Sequence, residues 1–166
     1  MIPKPFLDAT TRNCTIEHGL AGQRSQMRPA KPGERVLGAF KLPPFQRGSV
    51  WTKQQQVRFI ESIWLHLPIA SYVVNVDWRT HLNYPCSDWL LDGQQRWTAI
   101  IDYTEHRFEV FGLFFGELDI AQQRKFKNHP FPSIETRDLT IEQCREVYER
   151  LAYGGTNHER DDKESP

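Results

Sequence analysis

Apolar side chains recur at helical spacing in several parts of this chain, and strand-like runs lie between them. Val57, Ile60, Ile63, Trp64 and Leu67 fall three or four residues apart, and Phe59 widens their stripe. That spacing predicts an amphipathic helix over residues 53–66, with Thr52 ahead of it as an N-cap. Trp97, Ile100, Ile101 and either Tyr103 or Thr104 give a second inner face, for a helix from Gln94 or Gln95 to about Glu105. Asp119 is placed to cap a shorter helix, Ile120 to Lys127, with Phe126 turned inward. Thr140, with Gln143 three residues on, reads as a capping box for a last helix, Ile141 to Ala152, ended by the glycines that follow Tyr153.

The runs between these helices have strand character. They are Ala39 to Leu42, Ser71 to Val76, Asp88 to Leu91 and the polar run Ile134 to Leu139. Alternation over His106 to Phe111 predicts a further strand, continued beyond Gly112 by Leu113 to Phe115. Helices interleaved with strands in this order imply a mixed α+β or α/β domain. Residues 1–35 carry Pro3, Pro5, Pro29 and Pro32 but few periodic apolar positions, so they read as an extended or partly disordered arm. The expected domain then spans 36–156, with 157–166 as a flexible polar tail.

Composition narrows the class. With 166 residues the chain suits one domain, and its five Trp and ten Phe supply bulky core material. Formal net charge is zero, which argues against a generally basic nucleic-acid binder. Residues 1–50 do hold eight Lys/Arg against three Asp/Glu, so the leading segment alone is basic. No apolar run approaches the 18 or so residues of a membrane-spanning helix, and MIPKPFLDAT lacks the apolar core of a signal peptide. Cys14, Cys86 and Cys144 have neither zinc-ligand spacing nor a paired framework, which fits ordinary thiols in the cytoplasm.

The candidate chemistry lies where the strand 88–91 hands over to the helix after it, in Asp92-Gly93-Gln94-Gln95-Arg96. A strand-to-helix turn presents free N–H groups and a positive helix end, which suit an anion. Asp92 can cap that helix, hold Mg²⁺ or orient a water. Gly93 lets backbone approach a ligand closely. Gln94 and Gln95 can both donate and accept. Arg96 offers a planar fork for phosphate oxygens. A second pair, Gln46 and Arg47, lies between Phe45 and Trp51 in a loop opened by Pro43-Pro44. Two prolines and two aromatic anchors would hold that pair in place and bring a second guanidinium to the site. The chain has no P-loop, no GxGxxG, no HExxH and no GxSxG.

The blocks LPPFQRGSVWTKQQQVRFIESIWLHLPI and WLLDGQQRWTAI, followed by VYERLAYGGTNH, closely resemble the N-terminal domain of GmrSD-type modification-dependent restriction enzymes. The resemblance implies an α+β fold of the ParB/sulfiredoxin-like type, a mixed sheet with packed helices. It also implies a module that binds a nucleoside triphosphate (NTP) with Mg²⁺ and hydrolyses it, in a restriction, defence or phage-related system. Asp92, Gln94, Gln95 and Arg96 would carry the catalysis, with Asp92 as the metal ligand. Gln46, Arg47, Gly93, Gly154, Gly155 and Thr156 would bind the nucleotide. Ala152 stands where the family pattern often has Asn. Family members usually continue into a helical region and an HNH-type nuclease, so the expectation is a short stand-alone member that reaches DNA through a nuclease or effector partner. A nucleotide-gated module without turnover and a small ParB-like DNA endonuclease are the alternatives. A sulfiredoxin-like redox role is disfavoured because the DGQQR loop has no Cys.

Overall fold

A computed structural model describes residues 7–20, 33–76 and 85–153 of the chain. Six strands among these residues form one mixed sheet: β1 (Ala9–Arg12), β2 (Arg35–Leu37), β3 (Phe40–Leu42), β4 (Tyr72–Val76), β5 (Trp89–Asp92) and β6 (Ser133–Arg137), in the order β1-β6-β4-β5-β3-β2. The pairings β1–β6, β4–β5 and β2–β3 are antiparallel, whereas β4–β6 and β3–β5 are parallel. The helices are α1 (Ile16–Leu20), α2 (Lys53–Trp64), α3 (Gln94–Thr104), α4 (Ile120–Lys127) and α5 (Ile141–Tyr153). This is α+β, one of the two classes that the interleaved pattern allows and the one that the resemblance implies.

Period-two alternation in β4 and β5 separates two cores. Tyr72, Val74 and Leu90 face one side, where α1 to α4 supply Ile16, Ile60, Ile63, Trp97, Ile100, Tyr103 and Phe126. Val73, Trp89 and Leu91 face the other, where α5 supplies Cys144 and Val147. Trp97 is the centre of the larger core. It is fully buried, and the rings of Phe40, Tyr72 and Phe131 surround it at centroid distances of 5.2, 5.3 and 4.9 Å. Each such aromatic pair adds roughly 0.5–1.5 kcal/mol beyond the area it buries. The first turn of α3 is thereby pinned to the sheet.

The helix caps follow the sequence. Thr52 accepts from the Gln55 N–H while Gln55 reaches back to the Thr52 N–H. Asp119 with Gln122 and Thr140 with Gln143 make the same reciprocal pairs. Helix α2 stops at Trp64, two residues short of the expected end, because His66 adopts a positive φ of 56°. Leu67 therefore leaves the apolar stripe and stays about half exposed.

Two expectations are corrected. Residues 9–12 and 16–20 fall within the stretch expected to be an extended or disordered arm. They form β1 and α1, and Ile16 is fully buried. The ties that hold them are long-range ones that periodicity cannot show. The Ile16 N–H donates to the His129 carbonyl, and Arg12 pairs with the buried Glu135 at 3.1 Å. The predicted strand over His106 to Phe111 is likewise absent. Phe108 and Val110 do alternate inward, but among the described residues no strand lies alongside, and the chain reverses through Phe111 and Gly112 at φ 52° and 76°. Val110 and Leu113 bond to each other across that turn. All three cysteines are buried and free. Contact with Cys86, together with burial, pushes the Cys144 thiol up, so it stays neutral.

Helix α1 presses on the core through Gly19, where an added Cβ would collide with the Trp97 indole. Gly19→Ala should therefore destabilise the fold by about 1–3 kcal/mol in urea denaturation. A neutral or stabilising result would mean that α1 is not docked. His129 is nine-tenths buried, and burial, followed by the nearby His66 ring, holds its pKa below the usual 6.5. The unfolded chain then takes up the proton first as pH falls, so stability should be intact above pH 6.5 and decline below it. Urea midpoints at pH 7.5 and pH 5.5 measure the loss, and His129→Gln should shrink it.

Candidate functional site

Gly93 is the turn between β5 and α3. Its φ of 100° lies in the left-handed region, and a Cβ there would sit 2.7 Å from Tyr72 Cβ. Only glycine makes this turn without strain. Gly93 is also the N-cap of α3, with no side-chain cap hydrogen bond. This corrects the capping role considered for Asp92. The first intrahelical bond runs from the Trp97 N–H to the Gly93 carbonyl, so the N–H groups of the first turn have no partner within the helix.

Asp92 and Arg96, one turn apart, pair at 2.6 Å through Asp92 Oδ2. Arg96 also donates to the Ala70 carbonyl at 2.9 Å. Its side chain is mostly covered, while that of Asp92 is nearly half exposed. Two of the Arg96 nitrogens are therefore committed to the fold, and the pair is worth on the order of 0.5 kcal/mol at such a partly exposed position. Gln95 also has a structural task. Its Oε1 accepts from Ser49 Oγ at 2.8 Å and from the Val50 and Trp51 N–H groups at 3.0 Å each. The Phe45–Trp51 loop is thus tied to the first turn of α3.

The other end of that loop rests on α5. Phe45 packs against Trp89 and Tyr148, and the Arg47 N–H donates to the Tyr148 hydroxyl at 3.4 Å. Arg35 braces it from β2, donating to the Pro43 and Gln46 carbonyls. Gln46 is 6% exposed, yet its Oε1 has no hydrogen-bond partner among the described residues. The Arg47 side chain is exposed and makes no ion pair among the described residues.

The two motifs meet in one open pocket of about 250 Å³, lined by Gln46, Arg47, Trp51, Leu91 and the whole of Asp92–Arg96. Tyr148, Leu151 and Ala152 complete it from α5. Neither motif marks Trp51 or Tyr148 as a site residue. Their only signal in the sequence is aromatic character, beside the Gln46-Arg47 pair for Trp51 and on the last helix for Tyr148. Gly154, Gly155 and Thr156 lie outside the described residues, although α5 does lead from the pocket toward them. A larger hollow of about 610 Å³ lies near the other end of α3. Its charged residues Asp102, Glu105 and Arg107 are already matched, since Arg107 pairs with both acids and Gln56 donates to Asp102. The smaller of these two pockets holds the buried, unpartnered Gln46 amide oxygen.

Among the described residues no group of three or more His, Cys, Asp or Glu side chains could hold a metal ion. Asp92 is the one carboxylate among the described residues that line the pocket. The site therefore suits Mg²⁺ carried on phosphates, an ion that keeps its waters and needs one or two protein carboxylates. No described helix is long and apolar enough to cross a membrane.

Residues 30–165 match the family model described as GmrSD restriction endonuclease, N-terminal domain. The match spans most of the chain, so the protein belongs to that family, and this places it among modules of restriction systems. No curated protein and no solved structure gives a match.

Gln95→Leu should free the loop without unfolding the domain. Amide hydrogen exchange at Val50 and Trp51 should speed up by about tenfold or more, since each loses its acceptor, while exchange in β4 stays slow. Unchanged exchange at these two amides would show that Gln95 does not hold the loop.

Proposed function

We propose that this pocket binds a Mg²⁺–nucleoside triphosphate and hydrolyses it, and that the protein is the nucleotide module of a restriction or phage-defence system acting on DNA through a nuclease partner. The observation that carries this reading is the convergence of Gln46-Arg47 and Asp92–Arg96 on one pocket at the uncapped start of α3. That arrangement offers an anion the first-turn N–H groups, the positive helix end and one uncommitted guanidinium.

The roles divide by what each side chain still has free. Arg47 and the N–H groups of α3 hold the phosphates. Arg96 acts through Asp92, fixing Oδ2 so that Oδ1 faces the ligand as a metal ligand or an acceptor for the attacking water. Gln94, largely buried in the pocket wall, positions that water, and Gln95 positions the loop. Bound Mg²⁺ would neutralise phosphate charge and orient the chain of oxygens. The in-line displacement then needs placement more than covalent chemistry from the protein.

One observation favours a second reading, in which the nucleotide gates a partner without turnover. Among the described residues no other Asp or Glu and no His or Cys lines the pocket beside Asp92, so a general base would have to be that one ion-paired carboxylate. The third alternative, a nuclease built on the same site, would need a metal-binding cluster, and none exists among the described residues.

Mg²⁺ with ATP, GTP, CTP or UTP should raise the melting temperature. At a hundred times Kd the gain is about 2.7 kcal/mol, or roughly 5–10 °C for a domain of this size. Arg47→Ala should keep the melting point of the free protein and lose most of the shift. Phosphate release that stops in Asp92→Asn supports hydrolysis, and a shift without release supports gating. If no nucleotide moves the melting point at millimolar concentration, the proposal is wrong.

A further inference from the structure

The pocket has two unlike walls. The β5–α3 turn and Arg47 are polar and suit an anion. Opposite them, Tyr148, Leu151 and Ala152 occupy positions i, i+3 and i+4 of α5 and so share one helix face. Leu151 is apolar yet 49% exposed at that wall. Trp51 adds an aromatic surface from the loop, with its ring set edge-on against Phe59 at 5.5 Å and its N–H held by Gln95. Tyr148 is equally fixed, by Phe45 at 5.7 Å and by the Arg47 N–H. These contacts place the two rings ahead of ligand binding, which lowers its ordering cost.

An inorganic phosphate chain would use only the polar wall. It would leave the α5 face wet and the Gln46 amide without a partner. A ligand that satisfies both walls must join an anionic end to a flat, largely apolar body with hydrogen-bonding edges. A nucleoside phosphate has that composition. Base faces pack on aromatic and apolar side chains, and base edges or sugar hydroxyls match a carboxamide. Gln46 meets that need, as a buried residue of the pocket lining whose amide oxygen has no partner among the described residues.

Resting on the nucleotide reading above, we infer that the α5 face of Tyr148 and Leu151, with Trp51, holds the nucleoside end of the ligand and that Gln46 bonds its base or sugar. The triphosphate then runs toward the start of α3, with Arg47 between the two ends. Selection of the nucleotide is set by α5 and Gln46, and not by the Asp92–Arg96 turn, which meets only phosphates.

Titration calorimetry on the full chain tests this, with Mg²⁺–tripolyphosphate and the four Mg²⁺–nucleoside triphosphates as probes. At least one nucleotide should bind about tenfold or more tightly than tripolyphosphate. Leu151→Gln, a neutral change at an exposed position, should weaken that nucleotide roughly five- to twentyfold while the tripolyphosphate constant moves less than about twofold. Gln46→Leu should reduce the spread of affinities among the four nucleotides, with its fold checked by circular dichroism. Equal binding of nucleotide and tripolyphosphate would overturn the inference and leave the phosphate site standing. So would nucleotide affinity untouched by Leu151→Gln. If no probe binds, the nucleotide reading fails and takes this inference with it.

Discussion

The tight left-handed turn at Gly93, pressed on Tyr72, is the constraint that most of the site depends on. It sends the chain from the sheet into α3 in one residue, and Trp97 then locks that helix in an aromatic cage. Three consequences follow within a single turn of helix. Asp92 comes within reach of Arg96, Gln95 meets the incoming loop, and the unbonded N–H groups of α3 open on the pocket. A side chain at position 93 would disturb all three, because each depends on the same backbone path.

The site is a set of braces with a few groups left over. Arg96 holds Asp92 and Ala70, Gln95 holds Ser49 to Trp51, and Arg35 holds the loop carbonyls of Pro43 and Gln46. What remains uncommitted in the pocket among the described residues includes the Arg47 guanidinium, one Asp92 oxygen, the Gln46 amide oxygen, the Gln94 amide and the helix start. The motif as written in the sequence thus mixes two kinds of residue. Some of its members hold the pocket open, and others face what enters it. A loop pinned at one end to α3 and at the other to α5 also joins the two cores on opposite sides of the sheet. Movement of α5 would therefore reach the pocket directly, through Tyr148 and Arg47.

Short-range chemistry is legible in the amino-acid order itself. The caps at Thr52, Asp119 and Thr140 depend on residues three apart, so the sequence displays them directly. The two core-facing helix stripes and the strands at Tyr72–Val76 and Trp89–Asp92 are likewise local patterns. The features that local patterns miss are long-range. Strand β1 carries no apolar alternation of its own and exists because β6 lies beside it. The alternating run from His106 to Phe111 has the pattern of a strand and no neighbour to pair with among the described residues. A strand is a relation between two segments, and neither segment alone specifies it.

For the site the division is similar. The residues Gln46-Arg47 and Asp92–Arg96 mark themselves by composition, and their order along the chain is enough to point to one family. The sequence by itself therefore determined a mixed helix-and-strand domain, the boundaries of α2 to α5 to within a residue or two, and the candidate chemistry, but it did not show α1. Only the tertiary structure decided which of those groups are spent on each other and which remain free, and that α5 forms the third wall. The reason is geometric. Hydrogen-bond partners such as Gln95 with Ser49, or Arg47 with Tyr148, lie 46 and 101 residues apart. Packing of the sheet and helices settles such distances, and no local spacing rule reaches that far.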